Sequence, residues 1–109
     1  MTEISFKDFQ KLDIRIGKII SVEDIPNSKS LIKLQVDFGN EQRQAVAGLK
    51  NFYTADELVG KKFVFIINLE RKKFLGIESQ CMILAATDEE GNISLLTPVK
   101  DIEVGSKIR

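Results

Sequence analysis

Apolar side chains recur at every second position through Ile32, Leu34, Val36 and Phe38, the period of a strand with one buried face. The same alternation sets Ile14 and Ile16 against Arg15 and then meets Gly17, where a bulge or tight bend is expected. "RQAVAG" can pair back on the Ile32–Phe38 strand across a turn near Gly39-Asn40. The continuous apolar runs "KFVFIINL" and "MILAAT" read as two further strands, "DEEGN" turns the chain into "ISLLTPV", and "IEVGSKI" closes it. Two short helices interrupt this series. "SFKDFQKL" puts Phe6, Phe9 and Leu12 on one helical face behind a Ser5 N-cap, and "TADELVG" has Thr54 and Glu57 at capping-box spacing with Gly60 as its stop. Phe6, Phe9, Phe38, Phe63 and Phe65 fall in the apolar periodicity and are expected in the core. Phe52, Tyr53 and Phe74 remain as candidate exposed platforms.

Three strands, a short helix and two more strands, with a bend at Gly17 and long inserts at two places, predict an all-β fold. The expected architecture is a five-stranded OB-fold barrel with short helices and a C-terminal extension; a generic small Greek-key barrel is the alternative. The length of 109 residues sets one domain, 1–109, without internal repeat or linker. In an OB barrel, ligands sit on the face of strands two and three and between the first-to-second and fourth-to-fifth loops. Here those loops are "EDIPNSKS" and "ERKKFLGIESQC".

Composition narrows the classes. With 43% hydrophobic and 29% charged residues the chain is globular and not disordered, and 16 basic residues against 16 acidic ones select no partner by net charge. Only the placement of charge can. No apolar run approaches the roughly 18 residues of a membrane span, so no membrane association is expected, and "MTEISFKDFQ" has no signal-peptide core. The single Cys81 permits no internal disulfide, which fits a reducing, cytoplasmic setting. The absence of His removes the commonest general base and metal ligand. No catalytic residue, metal site or cofactor is therefore predicted.

The chemistry lies in the two loops. Arg71, Lys72 and Lys73 stand in succession and can neutralise phosphates. Ser79 and Gln80 can hydrogen-bond to phosphate, sugar or base edges, and Met82 offers a polarisable apolar flank. In the first loop, Asn27 and Lys29 sit beside Pro26 and Ser28 on a rigid turn. The plainer readings are a solvated charge run for "RKK", a hairpin turn for Ser79-Gln80, and ordinary core for Met82. The scarcity of exposed aromatics argues against a general single-strand binder and for a folded RNA read by shape and backbone.

"LDIRIGKI", "AVAGLKNFYTADELVGKK", "NLERKKFLGIESQCMILAA" and "LLTPVKDIEVGSKI" resemble the tRNA-binding domain family, over about Phe9 to Ile108. That family occurs at the C-terminus of methionyl-tRNA synthetases, as a separate synthetase beta subunit, and in synthetase cofactors. The resemblance implies an OB fold, binding to the tRNA elbow without strong sequence preference, and a homodimer. It also implies a catalytic methionyl-tRNA synthetase subunit as a further partner. Family contact positions carry over onto Lys72, Lys73, Ser79 and Met82, with Gln80 beside them. Three positions depart from the family pattern: Ser30 stands where a lysine is usual, with Lys29 one residue earlier; Arg71 replaces a frequent proline; and Cys81 replaces a frequent glycine. The leading expectation is a non-catalytic tRNA-binding protein, a beta subunit or accessory dimer of the synthetase. A chaperone-like peptide-binding dimer of the same fold is the alternative. A small enzyme is the third reading, against which the absent His and the unpaired carboxylate spacing both stand.

Overall fold

The computed structural model describes residues 2–109. Five strands form the main sheet: β1 (Ile14–Asp24), β2 (Ile32–Asp37), β3 (Gln42–Ala47), β4 (Lys62–Ile66) and β7 (Met82–Ile83), in the order β3-β2-β1-β4-β7 with every pair antiparallel. Between β4 and β7 the chain makes a hairpin of β5 (Lys72–Phe74) and β6 (Ile77–Ser79). The residues following that hairpin return to β3, so the sheet curls into the nearly closed five-stranded barrel of an OB-like fold. Beyond β7, β8 (Ala85–Thr87) and β9 (Ile93–Leu95) form a second hairpin.

The barrel interior is built by the alternation in β2, where Ile32, Leu34 and Val36 are buried, together with Ile19, Phe63, Phe65 and Phe38. The Phe38 and Phe65 rings meet edge to face at 5.5 Å, a favoured aromatic geometry. Gly17 lies beneath them. A Cβ at that position would stand 2.6 Å from Val36 Cγ1, 2.7 Å from Phe38 Cε1 and 2.9 Å from Phe65 Cδ1. The bulge expected at Gly17 lies instead beyond Ile19, where the β1–β2 register shifts before Ser21 and turns Ile20 outward. Gly17 is thus required by packing, and the bend is made three residues later.

On the outer face, Ile14 and Ile16 of β1 pair with Ile66 and Val64 of β4, and all four are buried. Ile108 and Leu84 cover them. The C-terminal segment is held there by antiparallel backbone bonds: Ile16 N donates to Ser106 O at 2.9 Å, Gly105 N to Ile16 O at 2.7 Å, and Ile108 N to Ile14 O at 2.8 Å. Part of the extension therefore packs on its own barrel, while Leu96, Val99 and Ile102 stay exposed.

The helices are short. α1 (Phe6–Gln10) is capped by Ser5, whose Oγ accepts from Asp8 N at 3.0 Å, and α2 (Ala55–Leu58) carries the reciprocal Thr54–Glu57 capping box. Phe6 and Phe9, expected in the core, are exposed and stack on one another instead. Helical spacing gave α1 an apolar face, but no barrel residue covers it. Tyr53, a candidate platform, is half-buried, and its hydroxyl accepts from Leu95 N at 3.0 Å. The run "MILAAT" divides at Leu84, whose N–H donates to Val64 O while its carbonyl accepts from Leu96 N.

Gly17→Ala should lower stability by about 1–3 kcal/mol or more, because three core side chains must move to admit one methyl group. Urea unfolding followed by circular dichroism checks this; an unchanged midpoint would mean the barrel has room that the packing denies.

Candidate nucleic-acid interface

The β5–β6 hairpin pairs Lys72 with Ser79, Lys73 with Glu78 and Phe74 with Ile77, around a two-residue turn of Leu75 and Gly76. Both turn residues have positive φ, 52° and 82°, as a tight primed turn requires. Glycine adopts this readily; leucine does so at a cost, and Leu75 is also exposed.

Side chains fasten this hairpin to the barrel. Gln80 N donates to Gln44 O at 2.9 Å, and Gln80 Oε1 accepts from Gln44 N at 3.1 Å, so the amide side chain replaces the backbone carbonyl that a continuing strand would supply. Gln44 Nε2 donates to Glu78 O at 2.8 Å. Ser79 Oγ accepts from Val46 N at 3.0 Å and donates to Cys81 O at 3.0 Å. Arg43, paired with Glu41, donates to Ile67 O at 2.7 Å and Gln80 O at 3.1 Å. That pairing, chiefly through the Arg43 hydrogen bond, holds the Glu41 carboxyl below its ordinary range. Behind this seam Cys81 is buried, and burial pushes its thiol up to about 12 although Arg43 and Arg71 pull the other way.

The predicted site residues divide accordingly. Lys72 and Lys73 are exposed, and neither takes part in an ion pair among the described residues. Met82 is exposed on the barrel wall and is not core. Arg71 is exposed, yet its Nη1 already donates to Gln80 O at 2.6 Å. Ser79 and Gln80 are half-buried, with their polar atoms engaged in the seam. Asn27 and Lys29 are exposed in the β1–β2 loop, Asn27 with a φ of 68°. That loop lies one strand pairing from the hairpin base: Val46 is bonded by Ser79, and its neighbour Ala47 pairs with Ile32 just after the loop. Beneath the hairpin is a cavity of about 210 Å³ between Val46, Leu69, Phe74 and Met82. Arg43, Gln44 and Leu69 were not anticipated from the sequence. The only signal for the first two is three polar residues opening a strand otherwise made of Ala and Val.

A family model described as "Putative tRNA binding domain" matches residues 14–107. The chain belongs to this family of tRNA-binding domains. The methionine–tRNA ligase of Methanocaldococcus jannaschii is 51% identical over 109 residues, covering 100% of this chain and 17% of the ligase. That of Thermococcus onnurineus is 53% identical over 97% of this chain and 14% of the ligase. The chain thus spans less than a fifth of the length of these curated relatives. Among solved structures, a MetRS related protein from Pyrococcus horikoshii superimposes with a TM-score of 0.95 at 39% identity, over 100% of both chains. The chaperone CsaA of Bacillus anthracis str. Ames follows at 0.88 and 31%, over 99% of this tRNA-binding domain and 100% of that chain. Among the described residues, no helix is long and apolar enough to cross a membrane.

Gln80→Ala should cost about 1–3 kcal/mol, since it strands the Gln44 N–H. It should also speed modification of Cys81 by a thiol reagent at pH 8, where the buried wild-type thiol stays protonated. Thermal denaturation and reagent kinetics check the pair; wild-type values for both would mean that the seam does not depend on this amide.

Proposed function

We propose that residues 1–109 form a non-catalytic cytoplasmic unit that strengthens the hold of a methionyl-tRNA synthetase on tRNA. The observation that carries this reading is the pair of exposed lysines, Lys72 and Lys73, which make no ion pair among the described residues, on a hairpin anchored to the barrel of a tRNA-binding domain. The synthetase connection draws on the ligases at about 50% identity. In this scheme Lys72, Lys73 and Lys29 contact phosphates, Asn27 supports the backbone contact, and Met82 flanks the RNA. Arg71, Ser79 and Gln80 chiefly hold the hairpin in place. The likeness to CsaA supports polypeptide binding as a second reading, which would use the same apolar cavity. The exposed Lys72 and Lys73 of the adjoining hairpin favour a polyanionic ligand for this face.

A homodimer belongs to the proposal. Leu96, Val99 and Ile102 remain exposed on the C-terminal segment, and a two-fold interface there would cover them. Two hairpins on one dimer could then engage a single RNA.

Filter or fluorescence titration with bulk tRNA should give a log–log salt slope of about −3, as expected for three or four phosphate contacts. Replacing Lys72 and Lys73 together by Ala should weaken all tRNAs alike. A flat salt response, or a loss confined to one tRNA, would contradict phosphate contact. Light scattering should show a dimer for the full chain and a monomer for Val99→Glu/Ile102→Glu. These point changes leave the Gly105–Ile108 pairing with β1 in place, which a truncation would remove. A monomeric wild type, or a dimeric double variant, would refute that interface.

A further inference from the structure

We propose that the cavity beneath the hairpin captures a single unstacked base of the bound RNA, an inference that rests on the tRNA reading above. At about 210 Å³ it is smaller than the roughly 300–1,000 Å³ of sites built for drug-sized molecules, and suits one flat ring system. Its walls are Val46, Leu69, Phe74 and Met82, and the last three expose 44%, 36% and 47% of their surface around a concave space. Large apolar groups left in water around a hollow mark a place where something docks.

The polar atoms bordering the cavity determine what kind of recognition it can offer. Ser79 Oγ already accepts from Val46 N and donates to Cys81 O. Gln80 Oε1 accepts from Gln44 N, and Nε2 lies 3.4 Å from Glu78 Oε1. With these groups engaged, little remains to read the edge of a base. Apolar flanks remain to cover its face, and every base has one. Capture would thus be tolerant of sequence but would demand a base free of the helix stack, as in a loop or bulge.

Charge fixes the orientation. Glu70 and Lys72 both border the cavity. A carboxylate there disfavours a phosphate inside, while Lys72 and Lys73 offer the adjoining phosphates a cationic surface. The neutral ring enters and the anion stays out, an arrangement that an apolar peptide would not need.

The test uses the full chain and three hairpin RNAs of one sequence. The first carries a single bulged 2-aminopurine nucleotide, the second an abasic nucleotide at the bulge, and the third is fully paired. The base-bearing RNA should bind roughly tenfold tighter than the abasic one, with a change in 2-aminopurine fluorescence on binding, and the paired RNA should match the abasic one. Phe74→Ala should abolish that difference, bringing the base-bearing RNA to the affinity of the abasic one. Met82→Ala, on the barrel wall, should do the same and serves if the hairpin variant loses its fold. Equal binding of base-bearing and abasic RNAs overturns base capture but leaves tRNA binding standing. Binding of bulk tRNA but of none of the three hairpins overturns base capture alone, and failure to bind bulk tRNA as well overturns both. Equal RNA affinities together with an unfolded polypeptide whose binding Phe74→Ala abolishes assign the cavity to polypeptide and overturn the proposal.

Discussion

The barrel closes through side chains, and the candidate interface depends on that closure. A strand can be joined to a sheet by backbone alone, but after β6 the chain turns toward β7, and its backbone meets β3 directly at Gln80 N and Gln44 O. The Gln80 amide and the Ser79 hydroxyl satisfy the Gln44 and Val46 N–H groups that this geometry would otherwise leave unpaired. An unpaired backbone group buried away from water costs about 1–3 kcal/mol, at least what an ordinary hydrogen bond contributes net. The two side chains therefore determine where the hairpin stands, why Cys81 is buried, and why a hollow opens between Phe74 and Met82.

The rest of the fold makes that seam rigid. Gly17 lets β1 come against Val36 and the crossed Phe38 and Phe65 rings, so the interior is filled without a gap at its centre. The outer cluster of Ile14, Ile16, Val64 and Ile66 is sealed by the returning C-terminal segment. Each such side chain contributes about 1.5–3 kcal/mol when fully buried. A scaffold stabilised on both faces can carry a strained, exposed turn such as Leu75-Gly76 without unfolding.

Much of this was legible in the sequence because its signals are local. The period of two in β2, the Thr54–Glu57 cap and the basic insert each follow from neighbouring residues. What was hidden depends on distant partners. Nothing near Phe6 and Phe9 says whether a core will receive them, and α1 leaves them in solvent. The Gly17 signal was real, but its cause lies in Val36, Phe38 and Phe65, far along the chain. Polar residues in a loop such as Ser79 and Gln80 have two uses, contact with a ligand and anchorage of the chain, and the anchorage shows only through the position of Gln44 and Val46. The C-terminal segment likewise divides between its own barrel and open solvent in a way its uniform apolar pattern does not announce.

Amide exchange and chemical-shift mapping by NMR, with and without tRNA, test the central claim most directly. The Gln44 and Val46 amides should be strongly protected in the free protein, held by the Gln80 and Ser79 side chains. On adding tRNA, the shifts should concentrate on Lys72 to Gly76, on Met82 and on Asn27 to Lys29 of the neighbouring loop, with the seam amides staying protected. Fast exchange at Gln44 and Val46, or tRNA-induced shifts gathered on another face of the barrel, would contradict it.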